Sequence, residues 1–233
     1  MIMAMRSLWR TLDPETLRGI LTITGSAAVS GASFGAIAVA TGQPLWVPIT
    51  MSALVFAGGS QFLAVGVLAG GGGPVAAVLG GLVLNARHLP FGLAVGHLVG
   101  RGRVARLVGS HLLVDESVAF ALAQRDPGQA RAALWGCGAG LFAGWNLGTV
   151  LGALVGDLIA DPAALGLDVV FPVLLLALVL PVLTGSQRQG KLRPVLVGAV
   201  VALATTPFLP AGVPVLLSLV GLFAVPRREA AAT

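Results

Sequence analysis

Residues 19–41 read GILTITGSAAVSGASFGAIAVAT, and the run without a charged side chain does not stop there: after Arg18 the next charge is Arg87. A helix crosses a hydrocarbon core of about 30 Å with about 20 apolar residues, so the stretch has room for more than one crossing. Further uncharged stretches lie at 132–156, 169–187 and 194–226. Of 233 residues, 56% are hydrophobic and 10% charged, too few charges for the wetted exterior of a soluble domain of this length. The chain reads as an all-α polytopic membrane protein, because its apolar runs lack the two-residue alternation of a transmembrane strand.

Glycine and proline divide the apolar sequence into about seven segments, near 19–41, 45–70, 74–100, 132–156, 166–184, 193–209 and 211–225. Together they make residues 1–233 a single transmembrane domain with some spans broken or re-entrant. Asp13-Pro14-Glu15 is a helix start signal: a capping residue, then a first-turn proline and acid. No A-x-A cleavage pattern ends the first run, which reads as a retained span. A single cysteine, Cys137, excludes an internal disulfide, and no Cys/His spacing suits a metal.

The net charge of +5 is a signal of orientation. Arg6, Arg10 and Arg18 precede the first segment; Arg101, Arg103, Arg106, Arg125 and Arg131 lie between the third and fourth; Arg188, Lys191 and Arg193 separate the fifth and sixth; Arg227 and Arg228 follow the last. All are expected in the cytoplasm, so 1–18 is a cytoplasmic N-terminal segment and 101–131 a cytoplasmic linker between two halves. The loop with Asp157, Asp161 and Asp168 carries no basic residue and faces outward. Scattered over loops without a motif, these cations give no nucleic-acid surface.

One conflict follows. If segments one and two cross in opposite directions, a full third crossing leaves Arg101, Arg103 and Arg106 outside. Either 74–84 enters about 16 Å, turns at NARH and returns, or 104–123 is an eighth span. That stretch carries Arg106, His111, Asp115 and Glu116, which suits an amphipathic cytoplasmic helix and favours the hairpin. ATTPFLPAG (204–212) interrupts the second half much as NARH interrupts the first, so a weak internal repeat is also read.

Segment four has Gly136, Gly140, Gly144, Gly148, Gly152 and Gly156, one every fourth residue. Such a row forms a shallow groove for a second backbone, with Gly140, Gly144, Gly148 and Gly152 at its centre. Gly92, Gly96 and Gly100 repeat the spacing. In FAGGSQF (56–62) the paired Gly58 and Gly59 let a helix unwind beside Ser60 and Gln61. In VLNARHLPFG (83–92) an arginine sits in otherwise apolar surroundings, and such a residue marks a functional site unless it is neutralised by a carboxylate or by helix carbonyls. Asp115 and Asp168 are conceivable partners, yet the topology puts one inside and the other outside.

The order GASFG (31–35), SALVFAGGSQF (52–62), LNARHLPFG (84–92), VDES (114–117), WNLGT (145–149) and GLDVVFP (166–172) resembles the AzlC family, the large subunits of branched-chain amino acid permeases and exporters. Many members read N-L-R-H where this chain has Asn85-Ala86-Arg87-His88. The resemblance implies a multi-pass protein of the bacterial inner membrane that exports branched-chain or other small amino acids with a small AzlD-type subunit. It implies no enzyme activity and no cofactor. The expected substrate site joins the two polar breaks: Arg87 holds the carboxylate in two parallel bonds, and Asn85, Ser60, Gln61 and freed carbonyls take the ammonium. His88, Gly58, Gly59 and Ser33 complete the set. His88 is either a proton carrier or a neutral hydrogen-bonding ring. No G-x-x-x-x-G-K motif is present for ATP hydrolysis.

Three other readings compete. A channel differs by flux that does not saturate with substrate, and a structural subunit would leave the pathway to its partner. GASFG also matches the G-x-S-x-G of serine hydrolases, but that nucleophile needs a strand-to-helix turn, whereas Ser33 lies in a continuous apolar run; His97 is expected to be packed and His111 to lie in a charged loop.

Overall fold

A computed structural model describes residues 11–156, 180, 188–209 and 213–224. Ten α-helices are described: α1 (Pro14–Ala40), α2 (Trp46–Leu54), α3 (Gly58–Ala69), α4 (Pro74–Asn85), α5 (His88–Val99), α6 (Arg103–His111), α7 (Asp115–Leu122), α8 (Pro127–Gly156), α9 (Arg188–Thr205) and α10 (Val213–Leu217). A 3-10 turn at Ser218–Ala224 follows α10, and there is no strand among the described residues. The start signal at Asp13 acts as expected: its carboxylate accepts from the Thr16 amide at 2.9 Å and the Thr16 hydroxyl at 2.7 Å, with Pro14 in the first turn. These two donors hold the Asp13 carboxyl below its usual range.

Seven described spans are not found. Two helices, α1 and α8, are long and apolar enough to cross a membrane, and a third crossing results if the broken pair α4 and α5 counts as one. The reason lies in the breaks. Segment 45–70 is interrupted at Val55–Ala57, leaving helices of 9 and 12 residues, each well short of a bilayer core at about 1.5 Å per residue. Segment 166–184 and the acidic loop before it lie outside the described residues.

The described chain forms two compact units. The first, up to Gln61 and from Asn85 onward to 161, is organised around α1 and α8, its most extensively packed pair. Glycine brings their backbones together. A Cβ at Gly144 would stand 2.7 Å from the Thr24 carbonyl oxygen, and one at Gly156 would stand 2.8 Å from the Ala36 Cα. Gly148 and Gly152 face the Ala28 and Ala32 carbonyls more closely still, Gly140 faces the Thr24 hydroxyl, and Gly31 and Gly35 of α1 return the approach against Trp145 and Thr149. The groove of segment four is therefore filled from within the chain. The spacing is not sufficient on its own: Cβ atoms at Gly92 and Gly96 would meet nothing within 4 Å.

The 101–131 linker is folded against this pair. Rather than one helix through 104–123, it forms α6 and α7 separated at Leu112–Val114. Leu113, Val118 and Ala121 are buried with Val95, Leu98 and Val99 of α5 and with Ala130 and Leu134 of α8. In the second unit, residues 62–84 and 162 onward, Gly80 packs on Leu63, and α9 crosses the 3-10 turn where Gly198 meets the Ser218 carbonyl, a Cβ there standing 2.7 Å from its oxygen.

Candidate functional site

The first polar break separates α4 from α5 at Ala86–Arg87. His88 Nδ1 donates to the Asn85 carbonyl at 3.0 Å, which satisfies one acceptor freed where α4 ends. Arg87 is paired: its Nη1 lies 3.2 Å from Oδ2 of Asp115, in the first turn of α7. The other carboxylate oxygen, Oδ1, is 3.9 Å from His88 Nε2, beyond hydrogen-bond range. Two buried polar atoms remain without a partner here, Arg87 Nε and Asn85 Oδ1.

Magnitudes show what this arrangement is suited to. The Arg87 and Asp115 side chains are 34% and 41% exposed, and ion pairs that open to solvent contribute about 0.2–1 kcal/mol. An unpartnered buried donor costs about 1–3 kcal/mol, so the pair does not offset the idle Nε. A guanidinium offers an end-on fork and a side-on fork that includes Nε. Asp115 lies against Nη1, and Nε is left without an acceptor.

The second polar break, Val55–Ala57, precedes the paired glycines instead of falling on them, and Gly58 begins α3. Phe56 turns the chain with φ 44°, a left-handed conformation that a β-carbon disfavours by about 1–2 kcal/mol. Its ring is held edge-on by Phe142 at 5.0 Å and lies 5.9 Å from His111. His111 Nε2 donates to the Ala53 carbonyl at 2.9 Å, so this histidine braces the broken helix, whereas His97 is exposed rather than packed. Gly58 is required by contact: a Cβ there would stand 2.7 Å from the Trp145 ring, which stacks on Phe34 at 5.9 Å.

Gln61 is fully buried, and its Oε1 accepts from the Ala57 amide at 3.2 Å while Nε2 has no partner. Ser60, also buried, donates to the Ala57 carbonyl at 2.8 Å, and Gly59 is half-buried beside it. Buried Ser52 and Thr149 meet at 3.2 Å. Ser33 donates to the Val29 carbonyl at 3.1 Å inside the uninterrupted α1, without the turn that a hydrolase nucleophile needs.

No hydrogen bond or ion pair joins Arg87 to Ser60 or Gln61 among the described residues. The two breaks are connected instead through the α6–α7 segment, whose His111 reaches one and whose Asp115 reaches the other. Of the two carboxylates conceivable as partners of Arg87, Asp115 is the one that pairs with it; Asp168 lies outside the described residues. The signal was the VDES stretch. Trp145, Ser52 and Thr149 were missed as site neighbours although they stand at the ends of the WNLGT and SALVFAGGSQF stretches. Among the described residues no cluster of His, Cys, Asp and Glu suits a metal.

No curated protein and no solved structure matches the chain. A family model described as AzlC protein matches residues 22–159, more than half of the chain and including both breaks, α8 and most of α1. The chain belongs to the AzlC family, a family of transport-related membrane proteins.

Proposed function

We propose that the protein is a secondary transporter of the bacterial inner membrane that exports branched-chain or similar small amino acids with a small AzlD-type subunit, and that Arg87 binds the substrate carboxylate. The observation that carries this is the buried, unpartnered Nε of Arg87 beside a helix break. A zwitterion leaves water only where both of its charges find partners. Asn85 and Gln61, each with an idle buried polar atom, supply further contacts. Apolar side chains around the breaks suit an aliphatic substituent.

Amino acid binding to purified variants, normalised to folded protein, tests the proposal. Arg87→Lys keeps the charge and loses the fork, and Arg87→Gln loses both. Wild type should prefer the acid over its carboxamide, with Arg87→Gln narrowing that preference by about 1.5–3 kcal/mol. A preference unchanged in Arg87→Gln rejects the assignment.

The contact with Asp115 favours a second reading, in which Arg87 is only a counter-ion. Its neutral replacement should then lower the yield of empty protein and leave affinity per folded molecule unchanged. Transport that saturates with substrate in proteoliposomes separates the transporter from a channel.

A further inference from the structure

We infer that Asp115 binds the ammonium group of the substrate through Oδ1, so that Arg87 and Asp115 together recognise an α-amino acid by both of its charges. This rests on the reading of Arg87 as the carboxylate partner. Asp115 offers one oxygen to Arg87, and the other makes no hydrogen bond, with His88 Nε2 at 3.9 Å. The donor left idle on Arg87 is Nε. A contact of 3.2 Å between Nη1 and Oδ2 joins the side chain that carries the idle donor to the one that carries the free carboxylate oxygen.

An α-amino acid carries its carboxylate and ammonium on one carbon, so one small ligand presents both charges. Charge supports the same ligand. An arginine with an aspartate makes a locally neutral pair that a zwitterion matches charge for charge, whereas a 2-keto acid or an amine matches only one of the two. The fold supplies the positioning. Asp115 sits in the first turn of α7 without capping it, because the Val114 amide donates to the buried Ser117 hydroxyl at 3.0 Å. The carboxylate is thus left to face the break after α4.

The test uses the full-length protein with an aliphatic amino acid, its 2-keto acid and its carboxamide. Wild type should bind the amino acid about 10- to 100-fold more tightly than the keto acid, the ratio for one hydrogen bond to a charged group. Asp115→Asn should collapse that ratio toward one while keeping the preference for acid over carboxamide. If Asp115 merely braces Arg87, the variant weakens amino acid and keto acid by one common factor, which overturns the inference and leaves the reading of Arg87 standing. Absence of the acid-over-carboxamide preference in wild type rejects that reading and the inference with it.

A second measurement needs no variant. Carbodiimide modification of Asp115 in the wild-type protein, located by mass spectrometry, should be slowed by the amino acid and not by the keto acid. Equal slowing by both overturns the inference.

Discussion

Replacing Gly148 with alanine places one methyl group between two backbones. Its carbon would stand 2.8 Å from the Ala28 carbonyl carbon and 3.0 Å from the Ala28 Cα. Neither atom belongs to a side chain that can turn away, so α1 and α8 must separate. Ordinary contact begins near 3.4 Å, so the carbonyl carbon alone calls for a shift of about 0.6 Å and the Ala28 carbonyl oxygen, nearer still, for a larger one; a gap of about 0.5–1 Å forfeits a quarter to a half of each local dispersion contact. Overpacking of this kind costs about 1–3 kcal/mol. Alanine also raises helix propensity by about 1 kcal/mol over glycine, which would blur a comparison with wild type. Gly25→Ala removes that ambiguity, because its Cβ meets nothing within 4 Å on the exposed side of α1 and it gains the same propensity. The difference between the two variants should be about 1–3 kcal/mol, or roughly 2–12 °C in apparent midpoint for a chain of this size. The assay is thermal unfolding of detergent-purified protein at one fixed heating rate. Equal midpoints would refute the backbone contact as a source of stability.

The pH dependence of the Asp13 cap has a definite sign. Its folded pKa is lowered, so its contribution is present above the unfolded carboxylate pKa and lost as pH falls through the lower folded value; Asp13→Ala should melt below wild type at neutral pH and coincide with it in strong acid, whereas a gap constant with pH would contradict the cap. At the α2–α3 break, Phe56→Gly should be about 1–2 kcal/mol more stable than Phe56→Ala, since both lose the ring and only glycine is relieved of φ 44°; an alanine variant as stable as the glycine one removes the argument from strain. Topology is open to labelling: with Cys137 replaced, Arg103→Cys and Arg188→Cys should react only from the cytoplasm and Asp161→Cys only from outside. Reaction of residue 103 from outside would establish the eighth span and end the hairpin.

What could be read from the residues alone was whatever is local. The helical class, the cap at Asp13, the breaks near 56–60 and 85–88 and the four-residue glycine row are each contained in a few turns of chain, where periodicity and backbone chemistry act. The glycine row still misled where a second backbone was needed to give it meaning, as at Gly92 and Gly96. Long-range pairings were less legible: Asp115 was one of two carboxylates conceivable for Arg87 and only the structure selects it, His111 on the Ala53 carbonyl joins residues far apart in sequence, and a reading of 104–123 as one amphipathic helix missed the break at Leu112–Val114, where Leu113 joins Val118 and Ala121 of α7 in the core. The break at Val55–Ala57 shows the same limit, because a phenylalanine takes the left-handed position there while the neighbouring glycines serve close contact with Trp145.

The seam between α1 and α8 is drawn by main chain, glycines of one helix against carbonyls of the other, at intervals of one turn along both helices. Dispersion contacts of this kind are weak one by one, but they engage like teeth, and sliding one helix past the other would disengage all of them together. The pair is therefore the stator of the first unit. Under the proposed function, displacement of Arg87 falls to the short helices α5 and α7 beside it, with this seam as the fixed part of their unit.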